Sequence, residues 1–387
     1  MFERESNNTG SRLKKYVDKW SVGKKELTTV FLLGNNPNPR LEKRISFFRQ
    51  YGAVVVGCGL RQGIEYTYDR TRDDVTYEEI GPVLPTTKDL VARYFASRKF
   101  GDNAYQKLLE YHPDVVYVVT IDGLVVADRY KRRYPNTKVI YEIADLTRPY
   151  LAVPKNLFEQ VKFALVKYLE KRHINCIDLF VVTSPKFYEI YYHKVVSHDK
   201  WVFIPNAPDT EVFKEYHKKS SGKFTVGFVG GLRYYPQLKM LVDASQLVGC
   251  DVVFAGSNDG SKEYLEFEKY AKQFENIKFT GRFNFEKEAA RIYSNLDCVY
   301  SLYGTNDQNA RIALPNKLYE SIICKLPILG SKGTYLGELI DEWGVGLTVS
   351  DTDVGELVEA LKKLRDDTEL RERIEKNCEE RYCELGL

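Results

Sequence analysis

At 387 residues, 43% of them hydrophobic and 29% charged, the chain exceeds what one hydrophobic core usually organises, about 150 to 250 residues, and points to two domains. The 57 basic and 54 acidic residues leave a net charge of +3, without the concentrated positive field that a dedicated nucleic-acid binder needs. No run of about 18 apolar residues occurs, and MFERESNNTGSRLKKYVDKW lacks the apolar stretch of a secretory signal, so the reading is a chain neither spanning a membrane nor exported.

Residues 1–25 carry no assignable role; an amphipathic anchor, a tag remnant and a disordered arm all fit them. From there one rhythm repeats: a short β-branched and aromatic run, a turn, then a segment with apolar spacing of three and four. Strands are predicted at 28–33, 54–57, 115–119, 138–142 and 179–183. Helices are predicted at 39–51, 101–111, 124–134, 155–174 and 185–196. This is the pattern of a parallel sheet covered by helices. It breaks at IPNAPDTEVFKEYHKKSSGK, where prolines and a polar run place the linker, and restarts with strands at 224–229, 252–255, 277–280, 298–302 and 327–330. The expected architecture is α/β: two tandem Rossmann-like domains, 26–206 and 207–366, with parallel sheets facing across a cleft. A C-terminal helix over 367–387 is free to pack back on the first domain.

Two segments of the second half carry phosphate-type chemistry. In LPNKLYESIICKLPILGS, Pro315 opens a helix whose free N–H groups and dipole suit an anion. Lys317 lies in its first turn, next to Asn316, and Glu320 follows three residues on. A cation beside a diphosphate and a carboxylate accepting ribose hydroxyls would serve a nucleotide-sugar donor; an i,i+3 ion pair on a surface helix is the plainer alternative. In GFVGGLRYYPQLK, Gly230 and Gly231 allow backbone to approach a ligand, and Arg233 and Lys239 can hold diphosphate oxygens, while a tight turn with solvated charges explains the same residues.

The order of GFVGGLR, VVFAGS, ENIKFTGRF, YSNLDCVYS and PNKLYES resembles the donor half of GT-B glycosyltransferases of the family 4 (group 1) type. VFLLGNNPNPR, HPDVVYVVTIDG, KVIYEIADL, FVVTSP and FIPNAPDTEVF resemble the other half. The resemblance implies that Arg233 and Lys239 bind the donor diphosphate, that Glu320 binds the ribose, and that Gly281, Arg282 and Phe283 lie near the base. The usual first glutamate would stand at Ile312; a branch with Pro-Asn-Lys before the second glutamate is matched instead by Pro315, Asn316 and Lys317. On the acceptor side it implies a loop from Gly34 through Asn35 to Arg40 facing the cleft. Asp122 and Asp145, at the ends of two strands, are candidates for acceptor binding or base catalysis, or plain helix and turn caps.

The implied function is glycosyl transfer from a nucleotide-diphosphate sugar to a hydroxyl of a saccharide or lipid-linked oligosaccharide, in bacterial surface polysaccharide synthesis. Retention is the family default. Arg233, Lys239 and Lys317 would stabilise the departing diphosphate, and no metal or other cofactor is called for. Partners are then the donor and acceptor, without nucleic acid, in the cytoplasm with an option of peripheral membrane association. A nucleotide-sugar 2-epimerase of the same architecture and a non-catalytic sugar-nucleotide binding subunit are the rivals.

Other signals carry less. The odd count of seven cysteines, most inside apolar or helical patterns, reads as a reduced cytoplasmic protein, and the five scattered histidines give no zinc pair. Gly57, Gly59 and Gly63 imitate a dinucleotide fingerprint with the last glycine one position late. Asp351 and Asp353 imitate an Asp-x-Asp metal motif but open a helix, where capping explains them. The basic face at 162–173 reads more simply as solvated than as lipid-binding.

Overall fold

Runs such as TVFLL, VVYV and LFVV become strands buried on both faces, as parallel sheets require. The computed structural model describes residues 9–59, 74–81, 90–219 and 222–387; Gly63 of the glycine pattern and residues 1–8 lie outside them. Two units divide the chain, Thr9–Pro205 and Asn206–Leu387.

The first unit holds β1 (Thr29–Leu33), β2 (Val54–Cys58), β3 (Val75–Glu79), β4 (Val115–Val118), β5 (Lys138–Ile143), β6 (Leu179–Val182) and β7 (Trp201–Phe203), all parallel, in the order β3-β2-β1-β4-β5-β6-β7. The second holds β8 (Thr225–Val229), β9 (Asp251–Ala255), β10 (Ile277–Gly281), β11 (Cys298–Ser301), β12 (Ile328–Ser331) and β13 (Gly346–Val349), parallel, in the order β10-β9-β8-β11-β12-β13. The expected pair of parallel α/β units is what forms. Strand order reverses between β1 and β4 and again between β8 and β11, and in open α/β sheets the loops leaving the strands at such a switch point flank a ligand crevice.

Three strands were not anticipated. β3, β7 and β13 are sheet edges whose VTYEE, WVF and GLTV are short and only half-buried, so they lack the apolar run that announces the others. The segment 185–196 is not one α-helix: a turn at Pro185–Phe187 runs into a π-helical turn at Tyr188–Tyr192.

The N-terminal stretch gains a role. It forms the helix Thr9–Ser21, whose Leu13 and Val17, four residues apart on one face, are fully buried in one cluster with Phe31, Phe48 and Ile204. Tyr16 Oη donates to the Asp199 carbonyl at 3.1 Å, tying that helix to the end of the unit. At the other terminus the helix Thr368–Leu385 packs within the second unit. Ile374 and Cys378 are buried, Asn377 donates to the Gly344 carbonyl at 2.9 Å, and Arg381 lies 5.8 Å from the Trp343 ring.

Candidate functional site

In the second unit the loops after β8 and β11 and the helix Asn316–Ile323 meet at the switch point. Pro315 caps that helix in an extended conformation with no side-chain hydrogen bond, so its first N–H groups are left for other partners. Lys317, in the first turn, points back into the unit. It is only 8% exposed; its Nζ donates to Tyr303 Oη at 3.2 Å and lies 4.5 Å from the Phe228 ring centroid. Among the described residues it has no carboxylate within ion-pair distance. An ammonium has three donors and Tyr303 takes one. Burying a cation without a counter-ion is costly, and two aromatic faces offset that cost only in part.

The same Nζ lies against the glycine loop. A Cβ added to Gly230 would stand 3.0 Å from it, and Gly230 has φ +131°, a conformation that disfavours any other residue. Gly256 carries a harder constraint: a Cβ there would stand 1.8 Å from the Gly230 carbonyl oxygen. Backbone bonds lock the loops together, Gly230 N–H to the Ala255 carbonyl at 2.7 Å, Leu232 N–H to the Ser257 carbonyl at 2.8 Å, and Gly256 N–H to the Gly281 carbonyl at 3.0 Å. Tyr234 then turns left-handed at φ +58° before the helix Tyr235–Val248, and its hydroxyl donates to Asp307 at 2.7 Å. A non-glycine residue held in that conformation by a second loop is strain of the kind that collects at functional sites. Arg233 between them is exposed, its Nε 3.7 Å from the position a Gly231 Cβ would take.

One turn beyond Lys317, Glu320 is buried, and the Tyr293 hydroxyl donates to its Oε2. Burial raises the Glu320 carboxyl above its ordinary 4.5, outweighing the opposing pull of Lys317 and of the Tyr293 hydrogen bond. Tyr303, which receives Lys317, is fixed from behind: its N–H donates to Ser331 Oγ at 2.9 Å and its carbonyl accepts from the same hydroxyl at 2.8 Å.

Gly230, Gly231, Arg233, Gly281, Lys317 and Glu320 thus lie on adjoining loops and one helix, with Asn316 and Arg282 exposed beside them. Lys239 departs from its expected place. It sits in the second turn of its helix, about 100° round from the buried Leu238, and is exposed. There it pairs with Asp243 at 2.8 Å and lies 4.3 Å from the Tyr270 ring. Truncating Lys239 to alanine is expected to change nucleotide affinity less than about twofold, as for other exposed pairs; a tenfold loss by titration calorimetry would put it back in the site. Asp351 accepts from the Thr305 N–H at 2.7 Å and Asp353 caps the helix Val354–Asp366, so both carboxylates of that motif serve the backbone.

In the first unit Gly34 stands at the corresponding switch point, where a Cβ would meet Thr120 Cγ2 at 3.3 Å, and Asn35 Oδ1 is buried without a donor among the described residues. Gly57 and Gly59 answer to packing: Cβ atoms there would meet Ile80 Cδ1 at 2.7 Å and the Gly34 carbonyl at 3.2 Å. Arg40 lies 3.0 Å from Glu142, whose other oxygen receives the Tyr117 hydroxyl and faces Arg44 at 3.5 Å. Burial alone would raise Glu142, but Arg44, Arg40 and Tyr117 together hold it below the ordinary carboxylate value. Neither Glu142 nor Arg44 was singled out from sequence; only an acidic residue inside a strand otherwise apolar marked it. Asp122 sits in the first turn of the helix Ile121–Arg133, which Thr120 caps, and accepts from Ser97 at 2.5 Å; Asp145 is exposed after β5.

Residues 209–381 match the family model of group 1 glycosyl transferases. Lys317, Glu320 and the glycine loop all fall inside that matched stretch. The succinoglycan biosynthesis protein ExoL of Rhizobium meliloti is 23% identical over 65% of this chain and 64% of its own length. The O-antigen chain mannosyltransferase C of Escherichia coli is 25% identical over 57% and 60%. The matched stretch therefore spans less than two thirds of either relative. Among solved structures, sucrose-phosphate synthase of Thermosynechococcus elongatus superposes with a TM-score of 0.68 at 14% identity, covering 92% of this chain and 94% of that one. HepE of Anabaena, solved in complex with UDP-glucose, superposes at 0.64 with 15% identity and coverages of 92% and 94%. At such identities the likeness is one of fold, and it extends over both units.

Proposed function

We propose that the protein transfers a sugar from a nucleotide-diphosphate donor to a hydroxyl of a saccharide or lipid-linked oligosaccharide, in the assembly of a bacterial surface polysaccharide. The observation that carries this is Lys317, a buried ammonium with no carboxylate within ion-pair distance among the described residues, against a left-handed glycine at a switch point inside the stretch that matches group 1 glycosyl transferases. A diphosphate supplies the missing anion. The solved neighbour holding UDP-glucose and the relatives named for succinoglycan and O-antigen synthesis support the donor class and the setting.

In this reading Lys317 and the open N-terminus of its helix take diphosphate oxygens, and Arg233 reaches them from solvent. Glu320 accepts the ribose hydroxyls, and the backbone at Gly281 lies by the base. Negative charge grows on the departing diphosphate as the glycosidic bond breaks, so fixed cations aimed there lower the barrier. The leaving phosphate oxygen takes the acceptor proton on the same face of the sugar, which gives retention without a protein base or a metal. Arg40, held by Glu142, and the Gly34–Asn35 turn would receive the acceptor. The test is nucleotide release from a panel of nucleotide sugars with and without saccharide acceptors. Release that depends on acceptor is expected; donor interconversion without acceptor, or binding with no turnover against any acceptor, would contradict transfer.

A further inference from the structure

The helix Leu157–His173 carries its apolar residues on the wrong side for a core helix. At about 100° per residue, Leu157, Phe158, Val161, Leu165 and Tyr168 fall within one stripe roughly 100° wide. Phe163 and Glu170, the residues that bury the helix, fall on the opposite side. Glu170 anchors that side by accepting hydroxyls from Tyr141 at 2.7 Å, Tyr192 at 2.9 Å and Tyr150. The stripe is left in water: with Val153 just before the helix, these side chains are between 54% and 85% exposed. Monomeric proteins seldom leave so many large apolar side chains together on one surface without a partner.

Charge selects the partner. Lys162 and Lys167 flank the stripe on its two sides, and Lys155, Lys171 and Arg172 are exposed at its ends. The only carboxylates on the helix are turned away: Glu159 is engaged by Arg148 at 2.9 Å and the Lys155 N–H at 2.9 Å, and Glu170 is buried. A second copy docking here would bring like charges together. An anionic bilayer would accept the apolar side chains between its headgroups while the lysines stay at phosphate level. We infer that this face docks the protein on an anionic lipid surface, an inference that stands apart from the nucleotide site. No helix among the described residues is long and apolar enough to cross a membrane, so the attachment is peripheral.

The test is co-sedimentation of the full chain with vesicles of phosphatidylcholine alone or mixed with phosphatidylglycerol. Binding to the mixed vesicles only, weakened by salt, is expected. Phe158→Ser with Leu165→Ser should reduce it at least about tenfold, since each loses a buried apolar side chain, and Lys171→Glu with Arg172→Glu should reduce it several-fold. All four positions are exposed, so both variants should melt with the native protein. Absence of vesicle binding, or equal binding by native and variant chains, would overturn the inference. So would a dimer in light scattering that the Phe158→Ser, Leu165→Ser variant dissolves, because a second copy would then cover the face.

Discussion

Lys317→Met should raise the melting temperature of the ligand-free protein while abolishing the further rise that a nucleotide sugar confers. Methionine keeps the stem that packs on Phe228 and removes an ammonium that has no carboxylate within ion-pair distance among the described residues. Burying an ion costs several kcal/mol, and the pull between Lys317 and Glu320 returns only part of it. In the bound state the sign reverses, because a charge-assisted contact to phosphate is worth about 2–3 kcal/mol, or roughly 30- to 150-fold in Kd. A residue retained for structure alone would show the opposite pattern, a lower melting temperature and an undiminished ligand shift. Thermal scans with and without donor read both.

Glu320→Gln should weaken nucleotide binding about 10- to 100-fold, because an amide accepts ribose hydroxyls less strongly than a carboxylate. Its effect on the free protein depends on pH. The folded-state value of Glu320 lies above the ordinary 4.5, so between the two the folded state holds more protons than the unfolded one, and stability falls as pH rises through that window. Glutamine removes this loss, so the variant should match the native protein below that window and exceed it above. Ribose hydroxyls donating to the carboxylate favour its ionised form, so native affinity should increase with pH over the same window and the variant's should not. A native affinity flat with pH across that window would separate Glu320 from the nucleotide.

How much of this was legible beforehand follows the physics of each signal. Strands buried on both faces announce themselves by composition, and the glycine loop and the Pro315–Lys317 turn by residue types with few other uses. What stayed hidden was direction. Lys239 and Lys317 are both lysines in early turns after a proline, yet one faces Asp243 in solvent and the other Gly230 inside the unit. A one-residue offset along a helix is a turn of about 100°, and only the packing of Leu238 and Val242 settles it. Partners distant in sequence were also out of reach. Tyr303 and Tyr293 look like core aromatics until their hydroxyls are found on Lys317 and Glu320. The helix Thr9–Ser21 was opaque because, among its described residues, only Leu13 and Val17 are fully buried, with Tyr16 and Trp20 half-covered beside them.

The central claim is that the buried Lys317 ammonium completes its charge with a diphosphate. The most direct measurement is calorimetric titration of nucleoside diphosphate against the matching monophosphate, on the native protein and on Lys317→Met. The native protein should prefer the diphosphate at least about tenfold, and the variant should bind the two alike. A preference that survives the substitution, or a native protein indifferent to the second phosphate, would contradict it.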